Sequence, residues 1–240
     1  MSARSRLVKF VAAACLTCIS GAMPAFADTI AVIGTGDVAR ALGPEFAALG
    51  HTIVYGSRNP SRDEVIALVE STGNSASATT PAESVVGADI VVMAVPGTVV
   101  ETVTSSLGDL SGKIIIDPTN AVDRSGNRLT LMYETSTAEI IQDAAPGAHV
   151  VKAFNTLNWR TMVDPDSSGG PVSIPLVGDN ADAKAKVAKL VEGMGLEPID
   201  LGPLAYARHV EGMLLVWIHN RYGGGDGPAF DYHLRKVDQN

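Results

Sequence analysis

The sequence predicts an α/β fold with a doubly wound, mainly parallel sheet and a small C-terminal lobe. From Thr29 onward, short apolar runs alternate with helical stretches, which is typical of β-α-β units. The first apolar run leads directly into a glycine-rich turn and a helix. The 240 residues are 46% hydrophobic and 18% charged, a composition that supports one sizeable core and excludes disordered and fibrous proteins.

The predicted strands are short apolar runs. The first five form the expected main sheet, and the last two are additions in the C-terminal part of the chain. In chain order they are 30–33, 52–55, 90–94, 113–116 and 149–153, followed by 174–177 and 197–200.

The predicted helices lie between these strands. The clearest is 181–194, because Val187, Leu190 and Val191 recur on one face while lysines lie off it. Pro44 lacks the amide that a helix interior needs, so we expect a kink in the first helix. The segment 161–171 is polar and rich in turn residues, which predicts a mobile loop. The helices are 38–49, 62–71, 99–107, about 137–144, 181–194 and about 204–221, and the glycine-rich run 223–227 ends the last one.

Residues 1–27 have the pattern of a signal peptide. Basic residues at positions 4, 6 and 9 precede the apolar run 10–23, and Ala25-Phe26-Ala27 supplies a cleavage site with small residues. The run is too short for a comfortable membrane span. We therefore expect an exported protein, periplasmic or secreted, with no stable membrane span after cleavage. A start at Met23 would instead give a cytoplasmic protein.

Charge and cysteine content exclude several classes of function. The formal net charge is −8, and such an acidic surface repels a phosphate backbone, so we expect no nucleic-acid partner. Both cysteines, Cys15 and Cys18, lie in the predicted signal peptide. The mature chain would therefore have no thiol for a disulfide, a nucleophile or a metal site.

The motif with the most chemical content is Gly34-Thr35-Gly36-Asp37-Val38-Ala39, which has the pattern G-x-G-x-x-A. The first glycine permits a tight turn, the second lets the backbone approach a pyrophosphate, and the small Ala39 lets the helix pack closely on the strand. The N-terminus of the helix offers unpaired amides to phosphates. The motif predicts a Rossmann-type dinucleotide site that includes residues 34–38.

The end of the second strand indicates which dinucleotide binds. An NAD site usually has Asp or Glu here, to hold the ribose 2′-hydroxyl. This chain has Ser57 and Arg58 after Gly56, with Arg62 four residues beyond Arg58. A serine hydroxyl and two guanidinium groups can bind a 2′-phosphate. The sequence therefore predicts NADP(H) rather than NAD(H).

Further candidate residues follow the other strands. Ala94, Val95 and Pro96 should pass under the ribose and nicotinamide, because ligands lie across the carboxyl ends of such strands. Ala153 lies at another strand end. Asn155, two residues later, is a candidate partner for the cofactor amide or for the substrate, and hence a candidate catalytic residue.

Residue types for acid–base or metal chemistry are sparse. Asp117 precedes Pro118, which favours a turn former over a catalytic carboxylate. The five histidines show no ligand spacing, so we predict no metal site.

Several stretches together resemble the coenzyme F420-dependent NADP oxidoreductase family, which shares a domain type with the reductase part of the STEAP metalloreductases. The resemblance extends in order over nearly the whole mature chain. The stretches are IAVIGTGDVARALGPEFAALGHTIVYGSRNP, VVMAVPG, IIIDPTN, VVKAFNTLN, VGDNADAKAKVAKLVEGMG and EPIDLGPLAYARHVEGM.

The resemblance implies a fold, a reaction and a site. It implies an NADP-binding Rossmann domain over 28–156 and a small α/β lobe over 157–240 that covers the second redox partner. Members of the family are commonly dimers, so the resemblance also implies a homodimer. The family's Ser-Arg pair and following basic residue match Ser57, Arg58 and Arg62. Hydride would pass directly between nicotinamide and a stacked deazaflavin (F420) or flavin, so no general base is required. The family's last helix faces the cofactor cleft, which makes His209 the histidine that the resemblance indicates as a catalytic candidate.

Two other functions are compatible with the sequence. A non-catalytic NADP-binding sensor or partner module would use the same glycines. An imine or hydroxyacid reductase could share the N-terminal half, but those enzymes usually append a long helical dimerisation domain. The residues after Asn155 are too few and too rich in strands to form it.

Overall fold

A computed structural model describes residues 27–126, 129–222 and 227–237. The predicted signal peptide lies outside the described residues except for Ala27, and so does most of the glycine-rich run 223–227. The export prediction therefore stays a prediction. Among the helices that the structure describes, none is both long enough and apolar enough to cross a membrane.

The centre of the fold is a six-stranded parallel sheet in the order β3-β2-β1-β4-β5-β8. The order reverses direction between β1 and β4, which confirms the doubly wound Rossmann-type prediction and puts the switch point at the ends of these two strands. The strands are β1 (Thr29–Ile33), β2 (Thr52–Gly56), β3 (Ser77–Thr79), β4 (Ile90–Met93), β5 (Ile114–Asp117), β6 (Val122–Asp123), β7 (Thr130–Leu131), β8 (His149–Lys152), β9 (Ser173–Leu176) and β10 (Glu197–Asp200).

Helices cover both faces of this sheet, and several begin at local capping signals. Asn180 caps α7 by accepting the N–H of Ala183 at 2.8 Å. Ser136 and Glu139 form a capping box at the start of α5. The helices are α1 (Asp37–Ala48), α2 (Asp63–Thr72), α3 (Pro81–Ser84), α4 (Val100–Ser106), α5 (Thr137–Ala144), α6 (Trp159–Val163), α7 (Ala181–Gly193) and α8 (Ala207–Tyr222).

Alternate side chains of the central strands enter two apolar clusters on opposite faces of the sheet. On β1, Ile30 and Val32 pack in one cluster, while Ala31 and Ile33 pack in the other. Burial on both faces explains why the central strands read as nearly continuous apolar runs. The first cluster also contains Val187 and Val191 of α7, so the C-terminal units share this core. The domain division at residue 156 stays a prediction.

The structure differs from the sequence expectations in a few elements. The short strand β3 and the hairpin β6–β7 were not predicted, because they are only two or three residues long and contain polar residues. The segment 161–171 is not simply a loop, since α6 and a 3₁₀ turn at Pro165–Ser168 occupy part of it. Pro44 lies inside α1, which runs on to Ala48, and the expected kink stays a prediction.

Candidate functional site

A cleft of about 820 Å³ lies at the carboxyl ends of β1, β2 and β4. It brings together the three predicted segments: the glycine turn after β1, the serine–arginine segment after β2 and the apolar turn after β4. Its lining residues are Ile33, Gly34, Thr35, Gly36, Gly56, Ser57, Arg58, Asn59, Arg62, Pro81, Ala94, Val95, Pro96, Val99, Thr102 and Val103. This is the switch point where open α/β sheets bind ligands.

The two glycines of the turn have different roles. Gly34 has φ +108°, a left-handed conformation that favours glycine, and its N–H donates to the carbonyl of Gly56 at 2.9 Å. A Cβ atom at Gly34 would overlap the carbonyl oxygen of Ala94. Gly36 has φ −81°, and a Cβ atom there would meet nothing within 4 Å. Gly34 therefore packs the end of β1 against the ends of β2 and β4, whereas the missing side chain at Gly36 leaves open space beside the turn.

We expect Gly34→Ala to lower the free energy of unfolding by about 2 kcal/mol or more, because the substitution adds both backbone strain and a steric overlap. Gly36→Ala is the matched control. It should change the free energy of unfolding by no more than about 0.5 kcal/mol, because its backbone angles suit any residue. Urea unfolding of both variants measures the difference, and equal stability of the two would contradict this account of Gly34.

The N-terminus of α1 faces this turn. Gly36 is the N-cap residue and makes no side-chain capping hydrogen bond. The amides of the first turn have no partner within the helix, and the helix dipole adds partial positive charge there. Asp37 and Val38 begin this first turn but are not among the side chains that line the cleft. Their predicted contribution to a dinucleotide site is through backbone N–H groups.

Positive charge collects at the β2 end of the cleft. Arg58 is exposed, and half-exposed Arg62 donates through a terminal nitrogen to Thr35 Oγ1 at 3.3 Å. Arg62 Nε lies 3.9 Å from the Glu64 carboxylate. Ser57 is held by its own N–H, which donates to the carbonyl of Thr79 at 2.8 Å. No carboxylate is among the side chains that line the described cleft, so this end suits an anion.

A neighbouring turn supports this end of the cleft. Thr80 and Glu83 form a capping box that begins α3 at Pro81, which lines the cleft. Hydrogen bonds from Thr79 and Thr80 lower the pKa of the Glu83 carboxyl, which keeps this cap charged.

Arg40 lies on α1 beside the cleft and was not predicted from the sequence. Its Nε donates to the carbonyl of Thr35 at 3.2 Å. The sequence places Arg40 four residues after Gly36, one helical turn on, which is the only local signal that could have identified it. The α4 side of the cleft was also missed, namely Val99, Thr102 and Val103.

The candidates Ala153, Asn155 and His209 are not among the residues that line the described cleft. Ala153 is wholly buried, and the buried Asn155 side chain donates to Asn120 Oδ1 at 3.1 Å and to the carbonyl of Val210 at 3.2 Å. Asn155 thus ties the end of β8 to α8. His209 is exposed on α8, and its functional role and those of Ala153 and Asn155 stay predictions.

A buried charged cluster connects β5, β8 and α8. The Lys152 ammonium lies 2.8 Å from Asp117 Oδ2 and 2.7 Å from Glu211 Oε1, and all three side chains are almost completely buried. Lys152 also donates to the carbonyl of Thr119 at 2.5 Å and to Thr137 Oγ1 at 2.7 Å. Asp117 acts as the expected turn former, since its Oδ1 accepts the N–H of Thr119 at 2.8 Å. The other carboxylate oxygen of Asp117, Oδ2, forms the ion pair with Lys152.

The comparisons with known proteins identify the family. A family model described as NADP oxidoreductase, coenzyme F420-dependent, matches residues 29–121. A solved structure of a candidate F420-dependent NADP reductase from Arthrobacter sp. FB24 is 34% identical, with 86% of this chain and 99% of that chain covered and a TM-score of 0.78. The chain belongs to the F420-dependent NADP oxidoreductase family.

Further relatives connect this family to two named activities. The F420-dependent NADP reductase of Methanothermobacter thermautotrophicus is 29% identical over 198 residues, which cover 76% of this chain and 84% of that protein. Metalloreductase STEAP3 of Rattus norvegicus is 32% identical over 194 residues, which cover 80% of this chain. The match spans only 38% of the length of that metalloreductase. Membership confirms the family resemblance and places the chain in a family of NADP-dependent oxidoreductases.

Within the described ranges, 27–126, 129–222 and 227–237, no group of three or more His, Cys, Asp or Glu side chains could hold a metal ion. The lining of the cleft presents arginine and apolar side chains beside the first turn of α1.

Proposed function

We propose that this chain binds NADP(H) in the cleft and catalyses hydride transfer between its nicotinamide and a second redox-active ring, a deazaflavin or a flavin. The observation that carries the proposal is the presence, in one carboxylate-free cleft, of the glycine turn and the group Ser57, Arg58 and Arg62. The glycine turn would bind the pyrophosphate of NADP(H), and the group Ser57, Arg58 and Arg62 would bind its 2′-phosphate.

The described residues fit the dinucleotide at both of its charged parts. The pyrophosphate suits the first turn of α1, where Gly36 leaves open space beside unpaired amides. The 2′-phosphate suits the β2 end, where Ser57, Arg58 and Arg62 line the cleft and can offer a hydroxyl and two guanidinium groups. The contacts of Arg62 with Thr35 and Glu64 are long, at 3.3 and 3.9 Å, so a phosphate could replace them readily.

The opposite wall of the cleft suits the reacting rings. Val95, Pro96, Val99 and Val103 form an apolar surface after β4. NADP(H) supplies the hydride chemistry, and the protein's task is to hold two flat rings together and exclude water. This division of labour fits a cleft whose described lining contains no carboxylate or histidine.

Arg58→Ala should weaken NADPH binding roughly 10- to 100-fold and leave NADH binding unchanged, because the lost charge-assisted contact is to the 2′-phosphate. Fluorescence titration with both dinucleotides measures the effect. Lys189→Ala, which removes an exposed cation on α7, is the control and should change neither affinity. Equal affinity of the unmodified protein for NADPH and NADH would contradict the proposed 2′-phosphate site.

The reaction itself is tested by NADPH oxidation with a panel of acceptors: F420, FMN, FAD and a ferric chelate. We expect turnover with F420 or a flavin, and NADPH oxidation that is lost in Gly36→Val. Stoichiometric NADPH binding with no oxidation by any acceptor would instead favour a non-catalytic NADP-binding module.

We also propose that the chain is exported by its first 27 residues and that it forms a homodimer. The basic residues, the apolar run and Ala25-Phe26-Ala27 support export. N-terminal sequencing of protein from its native host should find Asp28, and a chain beginning at Met1 or Met23 in the cytoplasm would contradict export. For the homodimer, light scattering should give twice the mass of a single chain, and the mass of one chain would contradict it.

A further inference from the structure

We infer that Arg40 is a positioning residue for the dinucleotide pyrophosphate: it holds the Thr35–Gly36 peptide so that its N–H, and not its carbonyl, faces the bound phosphates. This inference rests on the proposed function, because it concerns the same cleft. Arg40 is exposed on α1 and does not itself line the cleft. Its effect is therefore transmitted through the backbone of Thr35.

Two arginines from different parts of the chain hold Thr35: Arg40 lies on α1, and Arg62 immediately precedes α2. Arg40 Nε donates to the Thr35 carbonyl at 3.2 Å, and a terminal nitrogen of Arg40 reaches the carbonyl of Glu64 at 3.4 Å. Arg62 donates to the Thr35 hydroxyl at 3.3 Å. Arg40 thus links the glycine turn to α2 and engages the carbonyl of Thr35, whereas Arg62 engages only its side chain.

The orientation of this peptide matters because its two ends have opposite partial charges. In a trans peptide the C=O and the N–H point in opposite directions. The described peptides include no cis bond, so a Thr35 carbonyl turned toward Arg40 directs the Gly36 N–H the other way. An N–H facing a phosphate attracts it, whereas a carbonyl in the same place would repel it.

Because residue 36 is a glycine, the Thr35–Gly36 peptide needs a contact that favours one of its two orientations. Turning the peptide over would move φ of Gly36 from −81° into the positive region, which glycine tolerates and other residues rarely adopt. Both orientations are therefore accessible to the free turn. The hydrogen bond from Arg40 favours the orientation that binds phosphate, which is how a residue outside the cleft affects affinity.

The test uses two fragments of the cofactor with the full chain. ADP carries the pyrophosphate without a 2′-phosphate, and 2′-AMP carries the 2′-phosphate without a pyrophosphate. We expect Arg40→Met to weaken ADP and NADPH binding about tenfold and to leave 2′-AMP binding unchanged. Arg62→Met is the matched variant, and it should weaken 2′-AMP and NADPH binding while leaving ADP binding nearly unchanged.

Several outcomes would overturn the inference. Weaker 2′-AMP binding in Arg40→Met would make Arg40 a direct ligand of the 2′-phosphate, and unchanged ADP binding would remove any role in positioning. A lower melting temperature of the cofactor-free variant, with the same loss for both fragments, would indicate a general structural role. If the unmodified protein binds neither NADPH nor the fragments, the proposed function fails. If it binds them and Arg40→Met behaves normally, only this inference fails.

Discussion

Replacing Lys152 with methionine should lower the free energy of unfolding by about 3–5 kcal/mol. Lys152 is fully buried and is the cation in contact with both Asp117 and Glu211. Its removal leaves two buried carboxylates close together with no compensating charge. Burying an unpaired charge is far more unfavourable than losing the hydrogen bonds alone.

Chemical denaturation of the cofactor-free protein measures this effect. Lys189→Met is the matched control, because Lys189 is exposed on α7, and it should change the free energy of unfolding by less than about 0.5 kcal/mol. A loss below about 1 kcal/mol for Lys152→Met would contradict the ion-pair network.

A triple variant separates the two sources of the effect. Combining Lys152→Met with Asp117→Asn and Glu211→Gln removes all three charges from the buried cluster. If unpaired carboxylates cause the loss, the triple variant should be more stable than Lys152→Met alone. If it is less stable, the hydrogen bonds that the two carboxylates accept from Thr119 and Thr137 dominate instead.

The second large effect concerns Gly36→Val, which should abolish NADPH binding. The valine side chain would occupy the open space beside the N-terminus of α1, where the pyrophosphate is proposed to lie. Folding should persist, because φ −81° suits any residue and a Cβ atom meets nothing within 4 Å. The affinity loss and the folding effect are therefore separable at this position.

Thermal unfolding with and without NADPH makes the comparison. The stabilisation that NADPH gives the unmodified protein should disappear in Gly36→Val, while the melting temperature without NADPH falls by only a few degrees. Gly170→Val is the control, because Gly170 is exposed, lies outside the cleft lining and also has open space. Normal NADPH binding by Gly36→Val would place the dinucleotide site elsewhere.

The sequence alone predicted the elements whose signals are local. The parallel strands appear as apolar runs, and their alternation with helices predicts a mainly parallel sheet. The glycine turn and the group Ser57, Arg58 and Arg62 were found because each spans only a few consecutive residues at a strand end. The structure brings these two motifs into one cleft, as the doubly wound topology requires.

Only the tertiary structure decided the features whose parts are far apart in the chain. Asp117, Thr137, Lys152 and Glu211 come from four different elements, and none has a local pattern that indicates its partners. A lysine inside the apolar run of β8 was the single unusual feature. Arg40 likewise looks like an ordinary surface residue of α1 until the contact with Thr35 is seen.

The physical reason is the range of the interactions. Turns, caps and amphipathic periods depend on neighbours within about one helical turn or one strand, so sequence determines them directly. A buried ion pair, or a hydrogen bond that orients one peptide, depends on which distant atoms packing brings within 3 Å or so. For this chain, sequence therefore determined the fold class and the cofactor motifs, whereas tertiary packing decided how α8 is held to the sheet and which arginine orients the glycine turn.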